Sequence, residues 1–220
     1  MIIVIGSRHD PVAVAMADSW PGAGLCGAED FTRPGWVWRL DDRTALRWVV
    51  GGHAVPDVAI SGVLVRRRTF YPEEFPATHP DDRAYLAAEA HAFLVAMLSV
   101  TGARVANPAR DGMFGDEAIR LDRWLAAARD EGLVVRPVRV SSDDQPRRRT
   151  PAPLKVEVVG GDAFGAAPPA LKAGAVRLAR AMDLLWATAL FDGRRRLLTI
   201  TGAAAPDEEA RAALGTMLAG

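Results

Sequence analysis

Two polar segments in the first third of the chain have residue types that could bind an anion. Residues 7–10 (Ser-Arg-His-Asp) follow the apolar run "MIIVI", and an arginine triplet, residues 66–68, follows "GVLV". Arginine binds carboxylates and phosphates through paired hydrogen bonds, so one interpretation is an anion clamp at two strand ends. The other is a solvated strand end at which the arginines pair with Glu73 and Glu74.

The adjacent histidine and aspartate of the first segment also have two interpretations. His9 could act as a base that Asp10 orients. Adjacent side chains seldom face each other, however, and Asp10 directly precedes Pro11, a residue favoured in the first turn of a helix. We therefore expect Asp10 to cap a helix over "PVAVAMADSW".

The elements that must position these segments follow an α/β pattern. Apolar runs predict buried strands at "MIIVI" and "VAISGVLV", and "GWVWRLD" and "ALRWVV" predict two more strands. A long helix is predicted over "DDRAYLAAEAHAFLVAMLSVTG", with Gly102 as its C-cap glycine. Since ligands of α/β proteins commonly bind at the carboxyl ends of the strands, both polar segments are candidates for a site.

The second half of the chain predicts two hairpins and three helices. In "LKVEVVGGDAFGA", no helix start follows Gly160 and Gly161 directly, which favours a hairpin turn over a phosphate-binding loop. The second hairpin, "LLWATALFDGRRRLLTIT", turns at Asp192 and Gly193. The helices are predicted over "DEAIRLDRWLAAARDEG", "PPALKAGAVRLARAMD" and "PDEEARAALGTMLAG".

The composition is that of an ordinary globular protein and excludes several classes. The 220 residues include 27 Lys and Arg against 27 Asp and Glu, which argues against a nucleic-acid or anionic-membrane partner. A single cysteine, Cys26, excludes an internal disulfide, and the four histidines show no metal-ligand spacing. We find no signal peptide and no run near the roughly 20 apolar residues that span a bilayer. A cytoplasmic location is expected.

Six segments in order resemble the ATP-grasp ligases, the group related to glutathione synthetase and to the enzymes that crosslink graspetide peptides. They are "IIVIGSRHDPVAVAMA", "GVLVRRR", "RVANP", "LAAARDEGLVVRPVRVSSD", "LKVEVVGGDAFGA" and "WATALFDGRRRLLTIT". The resemblance implies a pre-ATP-grasp-like α/β domain at residues 1–105 and a truncated ATP-grasp-like α+β domain at residues 106–220. The central subdomain of the family is replaced by a short Pro- and Arg-rich junction near residues 143–153.

The sequence departs from the family at the positions that hold the metal and the nucleotide. In the family, the last hairpin carries an Asp on one strand and Glu-x-Asn on the other, which bind Mg²⁺. Here Ala189 or Leu190 takes the place of the Asp, and Thr199 and Thr201 take the places of Glu and Asn. Lys155 replaces the arginine that would face the phosphates. The lysine expected before "AARDEGL" is absent, with Arg120 or Leu121 at that place.

These departures predict a non-catalytic homologue, a pseudoligase, that binds a partner protein, a peptide or a small carboxylate in a biosynthetic pathway. No catalytic residue, metal or cofactor is expected. The alternative is an ATP-dependent carboxylate–amine (peptide) ligase with a rebuilt or partner-completed site, which would need ATP and Mg²⁺. A third possibility is a scaffold that pairs with a full-length ligase. The candidate ligand-binding residues are Arg8, His9, Arg66, Arg67, Arg68 and Lys155.

Three further features are assigned to the surface or to packing. The triplet Arg147–Arg149 lies in the shortened junction, where it would solubilise the chain or grip an acidic peptide. The triplet Arg194–Arg196 lies at the tip of the last hairpin and is expected to be solvated. Trp36 and Trp38 fall on one face of their strand, which favours core packing or a homodimer contact.

Overall fold

The computed structural model describes residues 1–39, 45–107, 109–110, 112–114, 119–138, 153–202 and 204–220. Contacts group the chain into two compact units. The first contains Met1–Ala118 and Arg211–Gly220, and the second contains Ile119–Ala210. Both units mix helices and strands, as predicted. The domain limits proposed from the sequence, 1–105 and 106–220, stay a prediction.

Nine helices and strands of the first unit precede residue 107 in the described part of the chain. They are β1 (Ile2–Ile5), α1 (Pro11–Ser19), β2 (Gly24–Cys26), β3 (Val37–Arg39), β4 (Ala45–Val50), β5 (His53–Pro56), β6 (Gly62–Val65), α2 (Arg83–Val100) and β7 (Arg104–Ala106). A parallel sheet has the order β2-β1-β6-β7, and an antiparallel sheet has the order β3-β4-β5. Strands β2 and β5 were not predicted. They have only three and four residues, and such short stretches show no clear alternation of apolar and polar side chains.

The core of the first unit forms where α2 packs on the parallel sheet. Every residue of β1 and β6 is buried, which is why both strands are continuous apolar runs. Leu94 and Met97 of α2 belong to the same core. The C-terminal helix α5 (Glu208–Ala219) contributes its last two turns to this unit, and Trp20 Nε1 donates a hydrogen bond of 3.1 Å to the carbonyl of Arg211.

The end of α2 differs from the prediction. Thr101, rather than a left-handed glycine, follows the helix, and its backbone is extended. The carboxylate of Asp57 accepts a 2.6 Å hydrogen bond from Thr101 Oγ1 and a 3.0 Å bond from the Gly102 N–H. Gly102 lies just past the helix end, directly after the C-cap Thr101, as predicted. Its φ angle is not positive, so it does not form the left-handed cap, and its N–H donates to Asp57 instead.

The segment Pro80–Val100, which includes α2, meets the length and composition of a membrane span. An 18-residue window of this segment has a mean hydropathy of 1.2, and 28% of that window is buried in the structure. The expectation that no run would reach this length was therefore wrong. Core helices of water-soluble proteins meet the same criterion, and Ala87, Leu94 and Met97 lie in the core of the first unit.

The second unit is built on one antiparallel sheet. It contains α3 (Leu121–Asp130), β8 (Leu154–Val159), β9 (Asp162–Phe164), α4 (Pro169–Ala181), β10 (Trp186–Phe191) and β11 (Leu197–Thr201). The strand order is β11-β10-β8-β9, and both predicted hairpins are confirmed. Gly160 and Gly161 have φ angles of 62° and 123°, so the glycine pair turns the first hairpin, as expected.

The two faces of this sheet differ in chemistry. Helix α4 packs on one face, where its Leu178 meets Val156 and Ala187 in a buried cluster. Because side chains alternate along a strand, Lys155, Glu157 and their cross-strand partners lie together on the face opposite α4. The register places these residues in two rows, Lys155–Leu190–Thr199 and Glu157–Thr188–Thr201.

Candidate functional site

The two polar segments found in the sequence lie at neighbouring strand ends of the parallel sheet. β1 pairs in parallel with β2 on one side and with β6 on the other. The order in which successive strands are added across the sheet therefore reverses between β1 and β6. Ligands of open α/β sheets bind at the carboxyl ends of the strands at such a point. Residues 7–10 follow β1 and residues 66–68 follow β6; we call this set the arginine edge.

Asp10 connects the two halves of the arginine edge. Its Oδ1 accepts a 2.9 Å hydrogen bond from the Val12 N–H, which confirms the predicted helix cap. Its Oδ2 accepts bonds of 3.2 and 3.1 Å from Nε and Nη2 of Arg66. The Arg66 side chain is only 6% exposed. Since both Asp10 oxygens are bound elsewhere, this carboxylate does not orient His9, whose own backbone N–H donates to Ser7 Oγ.

Arg67 is a packing residue of the first unit. Its guanidinium donates bonds of 3.0 and 2.7 Å to the two oxygens of Glu74 and lies 4.1 Å from the centre of the Phe70 ring. Its side chain is 5% exposed. The pairing with Glu74, which the sequence offered as the alternative to an anion clamp, is therefore present for this residue. Arg68, the next residue, is exposed.

Arg8 is the exposed member of an ion pair across the sheet edge. It donates to Glu29, a residue just beyond β2, and its side chain is 63% exposed. Partial burial acts to raise the pKa of Glu29, but hydrogen bonds from its own backbone and from Arg8 outweigh that effect and lower the pKa. An anion reaching this edge therefore meets Arg8 in solvent, with a carboxylate as competitor.

Lys155 lies in the second unit and is surrounded by acceptors. Its Nζ donates to the carbonyl of Ala205 at 3.0 Å and to Asp207 Oδ1 at 3.0 Å, and it lies 3.1 Å from Glu157 Oε1. An ammonium group has three N–H donors, so these contacts use all of them. Burial acts to lower the pKa of Lys155, and the hydrogen bonds to Asp207 and Glu157 raise it.

Glu157 is the buried member of this cluster, and the sequence did not single it out. Its side chain is 0% exposed, and its two oxygens lie 3.2 and 3.1 Å from the Asp207 N–H, which donates to them. Burial raises the pKa of Glu157, whereas the hydrogen bond from Lys155 lowers the pKa of Asp207. We call Lys155, Glu157 and their contacts the lysine site.

A buried hydroxyl adjoins the lysine site. Thr188 lies directly across the strand pair from Glu157 and is 0% exposed. Within the described part of the chain, its Oγ1 has no hydrogen-bond partner. An unpaired buried hydroxyl costs free energy, and a hydrogen bond to another polar group would remove that cost.

The donor set of this sheet face does not fit Mg²⁺. The metal prefers several carboxylate or carbonyl oxygens in octahedral geometry. Leu190, Thr199 and Thr201 supply no carboxylate, and the one acidic side chain in their two rows, Glu157, is bonded to Lys155 and the Asp207 N–H. Across the described ranges, no group of three His, Cys, Asp or Glu residues could hold a metal ion.

Of the two remaining arginine triplets, the structure describes the one at residues 194–196. Arg194 and Arg195 are exposed at the tip of the last hairpin, as predicted. Arg196 donates to Asp192, whose carboxylate also accepts from the Arg194 and Arg196 backbone N–H groups. These contacts organise the turn. The triplet at residues 147–149 lies outside the described residues.

A small cavity of about 120 Å³ lies beside the turn of the first hairpin. Its lining includes both turn glycines, Arg180 and Asp183. The Gly160 N–H, which a phosphate loop would offer to an anion, instead donates a 2.8 Å bond to the carbonyl of Leu185. The Gly160 N–H is therefore used in a backbone hydrogen bond within the second unit and is not available to an anion.

Comparison with known proteins places the fold among the ATP-grasp ligases. No protein-family model and no curated protein matches the sequence. Solved structures do match: macrocyclase MdnC bound with precursor peptide MdnA, from Microcystis aeruginosa MRC, has a TM-score of 0.71 at 12% identity, covering 99% of this chain and 98% of that one. The fold class implied by the sequence resemblance is confirmed.

Two further solved structures have a fold similar to that of this chain. A Chryseobacterium gregarium RiPP-associated ATP-grasp ligase, in complex with ADP and with a leader and core peptide, has a TM-score of 0.69 at 10% identity, covering 99% of this chain and 96% of that one. A RimK domain ATP-grasp protein from Sphaerobacter thermophilus has a lower TM-score of 0.52 at 12% identity, covering 100% and 99%. The fold of this chain is thus more similar to the MdnC and Chryseobacterium gregarium structures than to the RimK domain protein.

Proposed function

We propose that the protein is a non-catalytic ATP-grasp homologue, a pseudoligase, that binds a peptide in a cytoplasmic peptide-modifying pathway. The observation that carries the proposal is the chemistry of the sheet face in the second unit. The family likeness puts the Mg²⁺ ligands on the last hairpin, where this chain has Ala189 or Leu190, Thr199 and Thr201. The lysine that would meet phosphates is already bonded to three oxygens of the protein itself.

The peptide part of the proposal is supported by two observations. Structures with a similar fold contain precursor, leader or core peptides. In this chain, Arg8 and Arg68 are exposed at the arginine edge, where a carboxylate of a partner could reach them.

Calorimetric titration with ATP and Mg²⁺, with and without EDTA, tests the absence of ligase chemistry. The expected result is no metal-dependent heat and no thermal stabilisation at millimolar nucleotide. Micromolar binding that EDTA abolishes would overturn the proposal in favour of an ATP-dependent carboxylate–amine ligase with a rebuilt site.

Fluorescence anisotropy with a labelled acidic peptide tests the arginine edge separately. The double variant Arg8→Ala/Arg68→Ala is expected to bind the peptide at least about tenfold more weakly, because two charge-assisted contacts are lost. Arg194→Ala/Arg195→Ala removes the same charge from the hairpin tip and is the matched control. Equal losses in both double variants would mean that only net charge matters and would contradict a site at the edge.

A further inference from the structure

We propose that Lys155 and Glu157 form a two-point binding site for an acidic residue of a peptide, and that Asp207 of the same chain occupies this site in cis. This second site is separate from the arginine edge, and its chemistry is the same whether or not the protein is a ligase. The contacts that define it all lie within the second unit.

Asp207 meets the site through two different groups. Its backbone N–H donates to both oxygens of Glu157, at 3.2 and 3.1 Å, and its carboxylate accepts from Lys155 Nζ at 3.0 Å. A backbone N–H followed by a short side-chain carboxylate is what any aspartate in a peptide presents. Lys155 and Glu157 together therefore recognise an acidic residue that is part of a peptide chain. A free anion would lack the N–H donor that Glu157 binds.

The residues before Asp207 add a backbone contact. The carbonyl of Ala205 accepts a 3.0 Å hydrogen bond from Lys155. Pro206 lies between the two contacts and has no N–H to satisfy. The segment 205–207 is therefore held through main-chain groups and one carboxylate, which is the way proteins bind short peptide strands of variable sequence.

Burial distinguishes the receptor from its occupant. The Glu157 side chain is 0% exposed and the Lys155 side chain 28% exposed, whereas the Asp207 side chain is 63% exposed. The unpaired, buried Oγ1 of Thr188 lies across from Glu157 and offers a further polar contact. A preformed site with an exposed occupant can exchange that occupant without unfolding the sheet.

The chemistry also excludes a phosphate as the matching ligand. Glu157 and Lys155 together carry no net charge, and a multiply charged phosphate would meet the Glu157 carboxylate at close range. A carboxylate that arrives with its own N–H donor satisfies both residues. We therefore assign the site to acidic peptides.

The test uses full-length protein and a fluorescein-labelled peptide with the sequence of residues 201–210 (TGAAAPDEEA). In the wild type the cis segment competes at an effective concentration on the order of millimolar. Asp207→Ala removes the carboxylate of this competitor and leaves only its backbone contacts, so we expect the labelled peptide to bind that variant at least roughly tenfold more tightly than wild type. A peptide with Asn in place of Asp should bind at least roughly tenfold more weakly.

Two variants control this experiment. Asp162→Ala removes an exposed aspartate from β9 of the same sheet and should bind the peptide as wild type does. Lys155→Met added to Asp207→Ala should abolish the gain. Should Asp207→Ala lose helical circular dichroism, Asp207→Asn keeps the side-chain volume and should also increase binding. No gain in either Asp207 variant, or equal binding of the Asn peptide, would overturn the proposal; neither result depends on nucleotide binding.

Discussion

The arginine edge and the lysine site place cations beside carboxylates in different ways. At the arginine edge, three arginines pair with three separate carboxylates, and exposure ranges from 5% for Arg67 to 63% for Arg8. At the lysine site, one cation and a buried carboxylate contact each other and share the partner Asp207, and Lys155 also donates to the Ala205 carbonyl. Loss of one contact at the edge leaves the other pairs intact, whereas loss of one contact at the lysine site affects all three residues.

This difference separates structural ion pairs from a site that can open. Arg66 and Arg67 are nearly buried and bonded in fixed geometry, so they hold strand ends to α1 and to the Glu74 turn. Of the arginines of the edge, only Arg8 and Arg68 are exposed, and the proposed peptide would contact these two. In our proposal for the lysine site, the cation becomes available when the segment 205–207 moves away.

Removing Glu157 should destabilise the protein more than any other single substitution at these two regions. Glu157→Ala leaves the partly buried Lys155 and the Asp207 N–H without their acceptor, and breaking a buried ion pair typically costs about 3–5 kcal/mol in the free energy of unfolding. Urea unfolding of the variant and the wild type measures the loss.

Glu131→Ala is the matched control for Glu157→Ala, because it removes a glutamate from an exposed ion pair in the same unit. Glu131 lies 3.1 Å from Arg177 Nε, and the two side chains are 30% and 52% exposed. Its loss should cost about 0–1 kcal/mol. Similar losses for both variants would show that the lysine site is no more demanding than a surface pair.

Arg67 and Arg68 should respond very differently to the same substitution. Arg67→Met removes two bonds to Glu74 and the contact with the Phe70 ring, and we expect a loss of about 2–3 kcal/mol in the free energy of unfolding. Arg68→Met, at an exposed position, should stay within about 0.5 kcal/mol of wild type. Chemical denaturation of both variants measures this, and equal losses would contradict the division of the triplet into packing and exposed residues.

Features set by neighbouring residues could be predicted from the sequence. The glycine turn of the first hairpin, the Asp10 cap and the buried runs of β1 and β6 depend on residues a few positions apart, and each is confirmed. Gly102 follows α2 as predicted, but it is not left-handed, and its N–H donates to Asp57, which is distant in sequence. Local patterns do not contain such a partner.

The candidate site was less predictable for the same reason. The arginines and Lys155 could be singled out by type and by their place after or within strands. Their partners could not, because Asp10 precedes Arg66 by 56 positions and Asp207 follows Lys155 by 52. Glu157 looked like an ordinary member of an alternating strand, and only the register reveals the residues that surround it.

The two regions should also differ in the sign of their pH dependence, an effect smaller than those of the substitutions above. The pKa of Glu29 is lowered in the folded protein, so its pair with Arg8 adds stability above the ordinary glutamate value of about 4.3, and this is lost as the pH falls. The pKa of Glu157 is raised by burial, so its ionisation costs stability as the pH rises from about 4.3 through the folded value.

Urea unfolding from pH 3 to pH 7 of the wild type, Glu29→Gln and Glu157→Gln separates these contributions. The difference between wild type and Glu29→Gln should shrink below about pH 4.3, and 1 M salt should reduce it, because the Arg8–Glu29 pair is exposed. The difference between wild type and Glu157→Gln should change above about pH 4.3, with wild type gaining relative stability as the pH falls. If both differences change in the same direction over one pH range, the two carboxylates occupy equivalent environments, and the contrast between an open edge and a buried site fails.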